Sequence, residues 1–244
     1  MDIHKPKSWH GVRAFLKEYA TIVVGVLTAL AAEQAVVVAH NRLEAADARA
    51  AIRGELEFNA ARVRSRLDVR ACTERRIEEV QAILDGAADH PTIVPPNWIG
   101  RPNGWVLQDT RWQAAAQAGH AALIGRDELG SYGLEYARMR QLTLEMDAEQ
   151  ADWAKLRTLE HMRRLEPQAV FDLNATLQDA RYRNWRIALS STQLLDAQQG
   201  QGLRQVANPT FASRTICLPI TTPRAEALRP AAGRAPSESA LGEP

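Results

Sequence analysis

The chain has 244 residues, 45% of them hydrophobic, with 30 Lys and Arg against 29 Asp and Glu for a formal net charge of +1. That length suits one medium domain with an anchor and a tail, and it excludes two large domains. Arg and Glu are interspersed with no concentrated basic patch, which argues against a nucleic-acid partner and marks solvated helix faces.

Residues 1–18 form a short leader carrying Lys5, Lys7, Arg13 and Lys17. The apolar run Tyr19–Ala39, YATIVVGVLTALAAEQAVVVA, follows. It has the roughly 20-residue length of a membrane-spanning helix, interrupted only near its far end by Glu33 and Gln34. Glu33 lies about 14 residues past Tyr19, or roughly 21 Å along a helix, off the middle of a hydrocarbon core about 30 Å thick. Three readings compete. The run is a retained signal anchor, a signal peptide cleaved near Ala29-Leu30-Ala31, or a core helix of a soluble protein covered by later helices. The anchor is preferred, because the apolar run resumes after the small-residue site. Four basic residues precede the run, and Arg42, Arg49 and Arg53 follow it. This gives a weak positive-inside bias, with residues 1–18 cytoplasmic and 40–244 exported.

Thr21, Gly25, Ala29 and Glu33 recur every four residues and share one face of that helix. Small residues at this spacing let two backbones approach, so the face is a candidate for homodimerisation.

The remainder reads as all-α, an irregular bundle over residues 40–220. Ile52, Leu56, Ala60, Val63, Leu67 and Ala71, extended by Ile77, Val80 and Leu84, make one helical stripe from His40 to about Gly86. With no Gly or Pro between Ala35 and Arg53, the anchor is expected to continue into it as a stalk. Residues 87–106, with Pro91, Pro95, Pro96 and Pro102, form an irregular arm. Its Trp98, Ile99, Trp105 and Val106 are expected to pack across the bundle. A helix at Arg111–Ala118 breaks at Gly119. A helix from Asp127 carries Leu129, Tyr132, Leu134, Tyr136, Met139 and Leu142. Another runs from about Ala148 to Leu165, stopped by Pro167. The last, from about Phe171 to Gln199, offers Trp185, Leu189, Leu194 and Leu195 to the core and stops at Gly200 and Gly202. Thr215–Ile220 reads as an extended segment. Residues 221–244, rich in Pro, Ala, Gly and Ser, read as a disordered tail.

Cys72 and Cys217, both beyond the apolar run, are the only cysteines. Their wide separation excludes a CxxC redox motif. In an oxidising compartment they are candidates for a disulfide, worth on the order of 4–5 kcal/mol by chain entropy; two free buried thiols, or a reactive cysteine, are the alternatives.

The string FLKEYATIVVGVLTALAAEQ with the charged helix after it, and the segment WQAAAQAGHAALIGRDELGSYGLEYARM at Trp112–Met139, resemble a group of uncharacterised bacterial single-pass membrane proteins. The second motif is read at Ala118, Gly119, Leu123, Ile124, Leu129 and Tyr136. Glu33-Gln34-Ala35 stands where that group often has Asn and Trp. The resemblance touches about a quarter of the chain. It implies a topology, an exported helical domain and a Gram-negative source, and no activity.

No Walker loop, GxSxG, HExxH or paired CxxC is present. Gly200-Gln201-Gly202 is explained by a helix stop. His4, His10, His40, His90, His120 and His161 are scattered, none four residues from another His or Cys. His120, beside a helix break, and His161, beside Glu160, merit inspection. Asp127-Glu128 and Glu78-Glu79 are adjacent on helices and point to different sides. Asn174-Ala175-Thr176 matches a glycosylation sequon, a short pattern of little weight. No residue is therefore assigned a catalytic, cofactor-binding or metal-binding role. The expectation is a membrane-anchored, non-enzymatic interaction or scaffold module of the bacterial inner membrane. Its partners are the lipid bilayer, a second copy through the span, and a protein the sequence does not name. The alternative is a ligand-sensing regulatory membrane protein, with an enzyme a distant third.

Overall fold

The computed structural model describes residues 11–204 and 215–228. The first helix, α1, runs from Val12 to Leu67. At ~1.5 Å per residue its 56 residues extend about 84 Å. Only Gly25 and Gly54 weaken it and no proline breaks it. From Val12 to Leu43 its large apolar side chains stand exposed. From Ala45 onward one face turns inward: Ala45, Ala48, Ile52, Leu56, Ala60 and Val63 are buried at three- and four-residue spacing. A turn at Asp68–Val69 separates α1 from α2, Arg70–Asp89. The single helix expected from His40 to Gly86 is thus two, and no Gly or Pro marks the joint. α2 passes Gly86 and stops at His90, whose extended backbone precedes Pro91.

Helix α3, Thr110–Gln117, ends at Gly119, which takes the left-handed φ of 77° that favours glycine. A 3-10 turn at His120–Leu123 follows. α4 then runs unbroken from Arg126 to Leu156, where two helices were expected, because nothing between Leu142 and Ala148 interrupts the ladder. A 3-10 turn at Arg157–His161 closes it. α5, Pro167–Gly200, begins four residues earlier than expected. Pro167 opens that helix rather than stopping its predecessor, since proline's missing N–H costs nothing in a first turn.

Three rods make an all-α bundle: α1 from Ala45 with α2, then α4, then α5. Arg49 bonds Glu128, Tyr136 bonds Glu55 and Arg66 bonds Glu149, in the same order along both helices, so α1 and α4 run parallel. Arg186 bonds Glu145 while Arg183 bonds Asp152, so α4 and α5 run antiparallel.

The interior divides in two. Ile52, Leu56, Val63, Tyr132, Tyr136, Met139, Leu142, Ile187 and Leu194 form the core nearer the bare part of α1. Val69, Ile77, Val80, Leu84, Trp153, Leu156, Leu177 and Ile216 form the distal one. Trp185 and Leu189, expected in the core, are exposed, as is Leu134 of α4. The face that α5 buries is instead Leu173, Leu177, Ala180, Ile187, Leu194 and Leu195.

The arm spans residues 90–109. Trp98, Ile99 and Leu107 are buried and Trp105 is half-buried, whereas Val106 is exposed. Thr215–Cys217 forms a 3-10 turn rather than an extended segment, and a four-residue helix α6, Arg224–Ala227, follows. Thr222 and Ala227 are buried, so residues 221–228 pack as a strap and do not belong to a disordered tail. The first ten residues of the leader and residues 229–244 of the expected tail lie outside the described residues.

Candidate functional site

The bare part of α1 is the first candidate. A window with mean hydropathy 2.1 has none of its residues buried, and the helix is long and apolar enough to cross a membrane. The covered core helix weighed from sequence is not what the bundle builds. Helical geometry places Thr21, Gly25, Ala29 and Glu33 along one side, all exposed. Thr21 and Thr28 turn their hydroxyls back to the carbonyls of Lys17 and Val24 at 2.9 and 2.8 Å. These bonds satisfy the hydroxyls within the helix and leave the outer surface apolar. Nothing lies within 4 Å of where a Gly25 side chain would start, so that surface is open to close approach.

The second candidate is the fastening of the distal strap. Cys72 of α2 and Cys217 form a disulfide with Cα atoms 4.8 Å apart. One helical turn on, the buried Arg76 gathers three stretches of chain. Its guanidinium donates to the carbonyls of Trp98 (2.8 Å), Ile99 and Leu218 and bonds Glu79 at 2.6 Å. Burial pushes the Arg76 pKa down, and Glu79 opposes this. The Trp98 indole donates to Thr215 at 3.1 Å and its amide to Ile220 at 3.0 Å. Glu160 accepts from the Ile99 amide at 3.0 Å and from Arg224 at 2.8 Å. Arm, strap and α2 are therefore one polar and covalent knot over the distal core.

Between arm and strap lies a cavity of about 700 Å³, lined chiefly by Trp98, Arg101, Trp105, Asp147, Gln150 and Arg157. The arm lies close on α4 here. A side chain at Gly104 would meet the Gln150 side chain at 3.0 Å and displace it. Arg101 donates to Gln150 at 2.9 Å, and Gln150 donates to the Pro102 carbonyl at 3.0 Å. The Arg157 guanidinium sits 6.0 Å above the Trp98 ring. The lining offers indole faces, two guanidinium groups, side-chain amides and the Asp147 carboxylate, a set suited to binding.

The two inspected histidines have ordinary surroundings. His120 and His40 flank one carboxylate, Glu44, at 3.4 and 3.7 Å. His161 is exposed, and its neighbour Glu160 is committed to the strap. Among the described residues no three His, Cys, Asp or Glu side chains form a set that could hold a metal ion.

Sequence reasoning missed the interior polar nodes. Glu55 accepts from the Arg111 and Trp112 amides at 3.0 and 3.4 Å and from the Thr110 and Tyr136 hydroxyls at 2.8 and 2.9 Å. It thereby caps α3 from a neighbouring helix. Burial and Glu55 together push the Tyr136 phenol well up. The Asn59 amide pairs both ways with the Gln108 backbone at 2.7 and 2.9 Å. Arg66 and Glu149, 1% and 0% exposed, pair at 2.6 Å, and Arg66 also donates to Asn184 at 3.0 Å. This layer lies between the two cores. The signal that might have found these residues was charge on the apolar stripe, as at Glu149, three residues from Met146 and four from Trp153.

Compared with protein-family models, curated proteins and solved structures, the chain matches none of them.

Proposed function

We propose that this chain is a single-pass inner-membrane protein of a Gram-negative cell, with residues 1–18 cytoplasmic and the helical bundle exported. The bundle serves as a non-enzymatic interaction or scaffold module, and the span self-associates. One observation carries the reading: the most apolar stretch of the chain is continuous with the bundle's first helix yet buries nothing against it. Left in water, such a surface would aggregate; in lipid it is solvated, and the helix satisfies its own backbone. The disulfide supports an oxidising compartment for the bundle.

Alkaline carbonate extraction with protease accessibility tests this. The full chain is expected to stay with the membrane, and protease added to spheroplasts is expected to degrade the bundle. Release into the supernatant, or protection of the bundle until the inner membrane is opened, would contradict the anchor or its orientation respectively. The cavity under the arm favours a second reading, a ligand sensor.

A further inference from the structure

The bare helix carries more than a run of small residues. Ile22, Gly25, Ala29, Ala32, Val36, Ala39, Leu43, Ala46 and Ala50 alternate at spacings of three and four, a strict seven-residue repeat over four heptads. All nine are exposed. Within the span such a pattern is cheap, because nearly every residue there is apolar. Past the span it is informative. Between His40 and Ala50 the apolar residues divide into two sets. Ala45 and Ala48 turn into the bundle, while Leu43, Ala46 and Ala50 stay exposed, Ala50 at the edge of a hollow beside α3. Leu43 is 67% exposed, the one large apolar side chain among the polar residues and alanines of this stretch.

In heptad terms Ile22, Ala29, Val36, Leu43 and Ala50 hold the a positions, and Gly25, Ala32, Ala39 and Ala46 the d positions. The flanking residues then have defined roles. Arg42 is a g position and Asp47 the following e position, the two sites that meet across a parallel two-stranded coil. Both are exposed, and neither has an ion partner among the described residues. Thr28 and Glu33 occupy the equivalent g and e positions inside the span. The next d position is Arg53, whose guanidinium donates to the carbonyls of Gln201 and Gly202 at the end of α5. The seam therefore stops at Ala50, where the next d position is taken up by the bundle.

We infer that a second copy of this chain docks along that seam. It forms a parallel, left-handed two-helix coil from Ile22 to Ala50, locked by Arg42 to Asp47 pairs in both directions. The inference rests on the reading of α1 as a retained anchor and replaces the four-residue face with a seven-residue one. The period decides this: a seven-residue repeat gives a left-handed supercoil, whereas small residues every four give a right-handed crossing. Ala and Gly at every d position let the helices run close, and Leu43 gains cover that the monomer does not give it.

The test uses the full chain in native membranes, with Cys72 and Cys217 left paired and single cysteines introduced one at a time. Oxidative cross-linking is expected to give dimer for Val36→Cys, Leu43→Cys, Ala46→Cys and Ala50→Cys, and none for the exposed off-seam positions Val37→Cys and Ala51→Cys. Arg42→Asp and Asp47→Arg are each expected to lower dimer affinity about five-fold, and the double reversal to restore it. Cross-linking at seam and off-seam positions alike, a pattern peaking at Thr21 and Glu33, or a double reversal no better than the singles would overturn the seam. Release of the unmodified chain by alkaline carbonate would overturn the anchor beneath it.

Discussion

The two halves of α1 are one helix with two kinds of surroundings. Below Ala45, Ile22, Leu27, Leu30 and Val36 are all more than half exposed; above it, Ile52 and Leu56 are completely buried. The backbone is the same and the side chains are similar. The difference is what lies beside them: α4 and α5 against the upper half, and none of the other described elements against the lower. Apolar content alone therefore does not say where a helix lives. Interruption by charge does. The upper half alternates Ile52 and Leu56 with Arg53, Glu55 and Glu57, and the lower has only Glu33 between Tyr19 and Ala39.

The sharpest break in that comparison comes from the buried charge layer. Arg66→Ala strands Glu149 without its cation, and such a loss typically costs about 3–5 kcal/mol. The bundle should melt far earlier while membrane retention is unchanged. Replacing both Arg66 and Glu149 by Met should recover most of that stability. Calorimetry of the detergent-solubilised chain separates the two outcomes.

A paired substitution tests the two halves directly. Leu56→Ala should destabilise the bundle by roughly 2–5 kcal/mol and leave insertion untouched. Leu27→Arg should cost about 2.5–3.5 kcal/mol of insertion and leave bundle melting untouched. Loss of both properties in either variant would show that the halves are one cooperative unit.

Much of this was legible in the sequence and some was not. The apolar run, the helical stripe through Ile52, Leu56 and Val63, the arm across the bundle and the all-α class follow from periodicity and proline placement. The turn at Asp68–Val69 was invisible, because no breaker residue stands there. α4 read as two helices because polar Thr143, Glu145 and Asp147 interrupt its stripe; in the fold Thr143 bonds back to Met139 and Glu145 pairs with Arg186. Trp185 and Leu189 drew attention by size, yet the core face of α5 runs through smaller residues such as Ala180 and Ala188. The strap was hidden by its Pro and Ala composition. Its order comes from distant partners, Arg76 and Glu160, which no local pattern announces.

The distal half depends on a covalent tie that the proximal half lacks. Cys72→Ser should lower bundle stability by about 2–4 kcal/mol, with proteolysis starting in the strap around Ile216 rather than near Leu142. Cleavage beginning near Leu142 would count against that placement.

The smallest effect is one of pH. Glu135 is buried beside the Gln198 amide. Burial raises its pKa, and the Gln198 and Gln201 side chains, with Arg138 and Arg53, only partly oppose this. With the folded value above the unfolded one, its contribution is intact at acid pH and is lost as pH rises through the folded value. Glu135→Gln should flatten that decline, and the gap between the two melting curves should widen with pH. A constant gap would mean that burial does not raise the Glu135 pKa in the fold.

The most direct measurement of the central claim is thiol labelling of the full chain in lipid nanodiscs with a membrane-impermeant maleimide, Cys72 and Cys217 remaining paired. Leu27→Cys and Leu30→Cys should resist the reagent, while Leu134→Cys and Leu144→Cys on the bundle surface should react at once. All four are more than half exposed in the isolated fold, so protection of the first two can come only from outside it. Equal labelling at all four positions would contradict the account.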